Sequence, residues 1–169
     1  EDALTLVCGV KACGNVGFIK NGRELHGEII QKGFLETDTF SGSALVDMYA
    51  KCGSLYESYV TFESLPFRTI VSWNAIIAGH AESGFREEFA FSFSELMQFE
   101  RIPSDEITFL GLLKACGNLR VKIEGFRIHG QITRRGLETQ LLIGNSLVDM
   151  YAKVGSLMEA RKVLNKLAI

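Results

Sequence analysis

Apolar residues in this chain recur at the spacing of one helix face, not at the alternation of a strand. Leu55, Tyr59, Phe62 and Leu65 fall at i, i+4, i+7 and i+10, and Leu157, Ala160, Leu164 and Leu167 fall at i, i+3, i+7 and i+10. Each set predicts one buried stripe along a helix. Both segments open with a serine followed three residues later by a glutamate, Ser54 with Glu57 and Ser156 with Glu159, which predicts a capping box at each helix start. Glycine and proline divide the rest: turns are predicted at Cys52-Gly53-Ser54, Pro66, Ser83-Gly84, Pro103, Gly117, Gly136 and Val154-Gly155-Ser156. No segment sustains strand alternation, so the predicted fold is all-α.

The pattern also repeats. The word LVDMYAK stands at Leu45–Lys51 and again at Leu147–Lys153, and KACGN stands at Lys11–Asn15 and Lys114–Asn118. Between these words KGFLET (Lys32–Thr37) becomes RGLET (Arg135–Thr139), one residue shorter, and the same register pairs His26 with His129 and Gly33 with Gly136. The turns divide the chain into helical hairpins at Ala3–Asp38, Thr39–Thr69, Ile70–Asp105, Glu106–Gln140 and Leu141–Ile169. A hairpin period of about 34 residues predicts a solenoid, in which each pair covers its neighbour's apolar face and the stack offers a concave surface. LVDMYAK is then mainly packing, its Leu, Val, Met and Tyr supplying the buried face of a first helix.

Composition narrows the function classes. The 169 residues are 47% hydrophobic and carry a net charge of −2, and no run of eighteen apolar residues predicts a membrane span. Intermixed charge of that size excludes a protein that grips nucleic acid by bulk electrostatics, so any such binding is local and modular. The four cysteines, Cys8, Cys13, Cys52 and Cys116, show no C-x-x-C pair, which predicts no metal site and points to a reducing compartment with the cysteines as small buried apolar residues. The chain opens without methionine and partway into a repeat, and it reads as a fragment of a longer protein.

Length alone fits both tetratricopeptide and pentatricopeptide repeats. The stretch GSALVDMYAKCGSLYESYVTFESLPFRT, then IVSWNAIIAGHAESGFREEFAFSFSELM, then DEITFLGLLKACGNLRVKIEGFRIHGQITRRGLE, resembles the plant pentatricopeptide repeat proteins of the PLS subclass. The likeness covers essentially the whole chain, and the tetratricopeptide W-x-x-L-G-x-x-Y pattern is absent. It implies a right-handed α-solenoid of helix-turn-helix repeats in the motif order L, S, P, L, S. It also implies binding of single-stranded RNA in mitochondria or chloroplasts, about one base per repeat, as part of an editing or processing factor, with organellar editing-complex proteins as further partners. No enzymatic activity, catalytic residue, metal, cofactor, small-molecule substrate or membrane contact is expected. The alternative from another class is an interaction scaffold that uses the same surface for a peptide or an editing partner.

In the family the fifth and last residues of a P or S repeat read the base, two or three side chains meeting one splayed base. The resemblance assigns Asn74 and Asp105 in the third repeat. An amide both donates and accepts, which suits a pyrimidine edge, and the aspartate favours uracil. The stretch IPSD carries an extra residue, so Ser104 is the alternative last residue and would favour cytosine. Ser43 and Thr69 are assigned in the second repeat, leaning to purines, and Asn145 in the fifth. Val7 and Leu110, at the fifth place of the L repeats, cannot hydrogen bond. The resemblance further implies that second-position side chains, Phe40, Val71, Ile107 and Leu142, sandwich the bases. Lys51 and Lys153 are expected either to contact phosphate or to complement helix C-terminal dipoles.

Other features take plainer readings. His26-Gly27-Glu28 matches the H-x-E of a zinc deaminase, but no C-x-x-C follows and the sister copy reads His129-Gly130-Gln131, so both histidines are expected to be structural. His80 and Trp73 are expected in the core. Of the twelve phenylalanines, Phe85, Phe89, Phe91, Phe93 and Phe99 crowd one segment, and Phe89, where the family prefers alanine, is expected to overpack a helix contact. Thr61 replaces a usual aliphatic residue.

Overall fold

The computed structural model describes residues 2–83 and 88–167. Eleven helices and no strand are found among the described residues. The chain divides into two compact units, 1–79 and 80–169.

In the first unit α1 (Ala3–Val16) and α2 (Ile19–Gln31) form a hairpin, followed by the single turn α3 (Phe34–Thr37). Next come α4 (Thr39–Lys51), α5 (Leu55–Ser64) and the start of α6 (Ile70–Glu82). Gly53 makes the turn between α4 and α5 at φ 76°, a left-handed conformation that costs a residue without Cβ nothing. Leu65 ends α5 in an extended conformation, as the residue before Pro66 must. The second unit continues with α7 (Glu88–Phe99), α8 (Glu106–Leu119), α9 (Lys122–Arg134), α10 (Leu141–Lys153) and α11 (Leu157–Leu167).

The repeated words interlock. α1 packs on α2 and α4, and α8 packs on α9 and α10. A Cβ on Gly14, in KACGN, would stand 3.0 Å from the Cα of Met48, in LVDMYAK, and one on Gly22 of α2 would stand 2.6 Å from Met48 Sδ. The second unit repeats the arrangement, with Gly117 and Gly125 against Met150. Leu45, Val46, Met48 and Tyr49 are buried, as are Leu147, Met150 and Tyr151. Each methionine therefore fills a slot that two glycines leave open, one in KACGN and one in the second helix of the same hairpin.

Several expectations are corrected. Neither Ser-x-x-Glu pair forms a capping box: Ser54 Oγ donates to Glu57 Oε2 at 2.5 Å without capping the backbone, because Arg23 of α2 grips the same carboxylate. Ser156 Oγ is buried without a partner, and Glu159 pairs with Lys162 at 2.7 Å. The buried stripes are rotated as well. Tyr59, Leu157 and Leu164 are exposed, while Ser58, Thr61 and Phe62 face the interior of one helix and Ala160 and Val163 that of the other. Small residues make the close contacts, and Ser58 is admitted because its hydroxyl donates to Val46 O at 2.9 Å.

Gly117 lies inside α8, and the turn falls at Arg120, whose φ is 55°. Cys8 is exposed, whereas Cys13 and Cys116 are buried. Phe89 is exposed, with ring centroids 5.9 Å from His80 and 6.4 Å from Phe93. Phe99 is also exposed. Trp73 and His80 are buried as expected. Gly84 and Phe85 lie outside the described residues.

Candidate nucleic-acid interface

Among the first helices, α10 follows Gln140, which makes no side-chain cap bond, but the N-terminal ends of the other four, α1, α4, α6 and α8, are built alike. An N-cap oxygen from the preceding residue satisfies the orphan N–H groups of each start. Asp2 accepts from Thr5 N at 2.8 Å, and Asp38 accepts from Phe40 N and Ser41 N at 3.3 and 2.9 Å. Thr69 and Ser72 cap reciprocally: Thr69 N donates to Ser72 Oγ at 3.0 Å, and Ser72 N donates to Thr69 Oγ1 at 3.3 Å. Asp105 and Thr108 complete a capping box, Asp105 Oδ1 accepting from Thr108 N at 2.9 Å while Asp105 N donates to Thr108 Oγ1 at 3.1 Å. Thr69 and Asp105, assigned above to base reading, thus also hold the following helix in place. This second role was readable as Asp or Thr three residues before Ser or Thr, a pattern that recurs at all four starts.

One residue into each of these helices stands an apolar side chain turned to solvent. Phe40, Val71, Ile107 and Leu142 are the second residues of α4, α6, α8 and α10, and they are 68%, 52%, 57% and 62% exposed. Leu4 holds the same place in α1 and is 72% exposed. It was not among the residues picked out from the sequence, though the shared register identifies it.

The fifth residues are divided. Val7, Ser43 and Asn74 are buried, whereas Asn145 is exposed. Ser43 Oγ donates to Thr39 O at 3.1 Å and lies 3.3 Å from Thr69 Oγ1, so the two residues assigned to the second repeat do meet. Asn74 follows Trp73, whose ring packs edge-on against Phe62 at 4.7 Å, with the Arg68 guanidinium 4.8 Å over the Phe62 ring. The backbone carrying Asn74 is therefore anchored in the core.

At the far ends of α4 and α10 the two lysines are tied to their own helices. Lys51 donates to Asp47 at 2.7 Å and reaches Asn15 at 3.5 Å, and Lys153 pairs with Asp149 at 2.7 Å.

The repeated histidines are structural pins. His26 Nδ1 lies 2.9 Å from Tyr49 Oη, and His129 Nδ1 lies 2.7 Å from Tyr151 Oη, which ties α2 to α4 and α9 to α10. Burial pushes His26 below the usual imidazole range and pushes the Tyr151 phenol up to about 12. Beside His26, Glu57 accepts from Arg23 Nε and Nη2, both at 2.8 Å. Those bonds and the one from Ser54 hold the carboxyl down to about 2.

Hairpins whose first helices pack upon one another define a helical-repeat protein of the α-solenoid class. A sequence profile described as PPR repeat matches residues 145–168. The chain is 35% identical over 162 residues to a chloroplastic pentatricopeptide repeat-containing protein of Arabidopsis thaliana, covering 95% of this chain and 26% of that protein. It is 35% identical over 164 residues to a mitochondrial one from the same plant, covering 97% and 29%. The crystal structure of the pentatricopeptide repeat protein PPR10 from maize matches with a TM-score of 0.69 at 20% identity, over 99% of this chain and 24% of that one, a likeness of fold. The chain belongs to the pentatricopeptide repeat family, and it spans less than a third of the length of these relatives.

Proposed function

We propose that this chain binds single-stranded RNA, about one base per repeat, as one stretch of a plant organellar editing or processing factor of the PLS subclass. The row of exposed apolar second residues carries the reading. Five such side chains at one register are spared the burial their chemistry favours, and flat apolar contact on both faces of a base would use them. In this reading the repeats are 3–38, 39–69, 70–105, 106–140 and 141–169, in the order L, S, P, L, S. Ser43 with Thr69, Asn74 with Asp105 or Ser104, and Asn145 choose the bases. Lys51 and Lys153 meet phosphates.

The closeness of Ser43 and Thr69 supports a paired reading, since a fifth and a last residue that share one spot can address one base edge. The chloroplastic and mitochondrial names of the relatives support an organellar setting. Binding of this kind needs no cofactor or metal, and the chemistry of editing would come from partner proteins.

The test is selection from a random pool of short single-stranded RNAs by the parent and by Asn74→Thr. A pyrimidine enriched at one position by the parent and replaced by a purine in the variant supports both the function and the register. A parent that enriches nothing at low salt counts against it.

A further inference from the structure

In the second unit a cavity of about 450 Å³ opens between the ends of α7 and α9, lined by Gln98, Arg101, Ser104, Gln131, Arg134 and Arg135 among others. Three guanidinium groups and two amides meet there, and no carboxylate among the described residues lines the space, in a chain whose net charge is −2.

The three arginines differ in their ties. Arg135 is fixed in place: it donates to Ser104 O, and its guanidinium lies 5.4 Å over the Phe109 ring. Arg101 and Arg134 have no ion-pair partner among the described residues. Elsewhere in the same unit several cations carry carboxylates, as in Lys114 with Glu82, Arg127 with Glu124, Lys153 with Asp149 and Lys166 with Glu138. Two unpaired guanidinium groups beside a fixed third leave an excess of charge that an anion would neutralise. The fold does not require Arg134, since the matching place in the first copy of the repeated stretch is Gln31.

Planar guanidinium forks match the oxygens of a phosphate two at a time, and amide N–H groups can share the remainder. The volume admits a phosphate together with part of its sugar. Ser104 in the wall immediately precedes Asp105, the residue to which base reading is given above, and adjacent Cα atoms stand only about 3.8 Å apart. We infer that this cavity takes a backbone phosphate of the RNA strand, next to the nucleotide read at Asp105. The inference rests on the RNA-binding reading and adds to it a contact made by second helices.

The test uses the full chain with Arg101→Asn plus Arg134→Gln, which leaves Arg135 in place and puts at position 101 a residue at ease with the observed φ of 61°. Lys162→Gln, outside the cavity, is the charge control. RNA affinity is measured across salt concentrations for the sequence the parent selects, and Arg Nε–Hε resonances are followed during titration with inorganic phosphate. The expected result is weaker binding with unchanged base preference, and a log K against log salt slope shallower by about 0.7, the share of one phosphate on a single strand. Affinity and slope equal to those of the control, in a parent that binds RNA, overturn the phosphate site while leaving the RNA reading intact. If the parent binds no RNA, the RNA reading fails and this assignment with it; saturating phosphate shifts confined to the three arginines would then mean that the anion comes from another molecule, such as a phosphorylated protein.

Discussion

Ser43 Oγ and Thr69 Oγ1 stand 3.3 Å apart across 26 positions of sequence. Thr69 reaches this point as the cap of α6 and Ser43 as the fifth residue of α4, held by Thr39 O. The contact therefore joins the start of α4 to the residue that caps α6. Thr69 Oγ1 caps α6, and substitutions can separate that role from the base reading proposed for it.

Thr69→Val keeps the shape and removes the hydroxyl, so unfolding by denaturant is expected to show a loss of about 1 kcal/mol, the usual worth of an N-cap. Thr69→Asp retains a capping oxygen and should keep stability near the parent's. It should also turn preference at that repeat toward a base that offers an N–H, since a carboxylate only accepts. An unchanged base preference in Thr69→Asp RNA selections removes Thr69 from the reading pair.

Glycine substitutions separate packing from propensity. A Cβ at Gly14 would meet the Met48 backbone, 3.0 Å away, which cannot swing aside, so Gly14→Ala is expected to destabilise by about 1–3 kcal/mol. Gly27 has nothing within 4 Å of its added Cβ and lies in the interior of α2. Gly27→Ala should therefore stabilise by about 0.5–1 kcal/mol. Thermal unfolding of the two variants with opposite signs is the expected outcome, and equal signs would contradict the interlocking of the repeated words.

The helical class and the repeat were legible because both depend on local periodicity and on whole words. The Ser-x-x-Glu caps of the second helices were not, because the serine of Ser54-x-x-Glu57 could have capped the backbone, and only Arg23, far away in sequence, decides that Glu57 is drawn off and that Ser54 follows it. Hydropathy also misplaced the stripe of α5, since it scores Ser58 as polar without knowing that Val46 O waits for its hydroxyl. The row of second residues could be named once the register of the resemblance was fixed, and Leu4 was missed only by stopping one repeat short. The arginine cavity draws on 98–104 and 131–135, segments that only tertiary packing brings together.

Glu57 makes the first unit acid-sensitive. Its carboxyl is held at about 2 by Arg23 and Ser54, against an ordinary value of 4.5 in the unfolded chain. A depressed folded value means that this contribution is complete above about pH 4.5 and is lost as pH falls toward 2. Glu57→Gln should therefore be less stable than the parent at neutral pH, and the gap should close on acidification through that window. The gap should also shrink in high salt, because the pair is partly exposed. Melting temperatures of both proteins from pH 7 to pH 2 give the comparison, and a gap independent of pH would place the effect in packing instead.

Lys51 and Lys153 pair with an aspartate four residues earlier on the same helix, the favoured order for such a pair. If these lysines serve RNA, a phosphate must compete with a carboxylate already 2.7 Å away, and that carboxylate also repels the strand. Asp47→Asn with Asp149→Asn frees both cations and removes two negative charges, so RNA affinity should rise at low salt, with a steeper salt dependence. Lys51→Gln with Lys153→Gln should lower affinity evenly across sequences and flatten the slope. The two double variants thus move binding in opposite directions while base preference stays fixed. If RNA titrations show neither movement and thermal unfolding shows Lys51→Gln and Lys153→Gln less stable, the lysines act only on their helix ends, and the phosphates are met elsewhere.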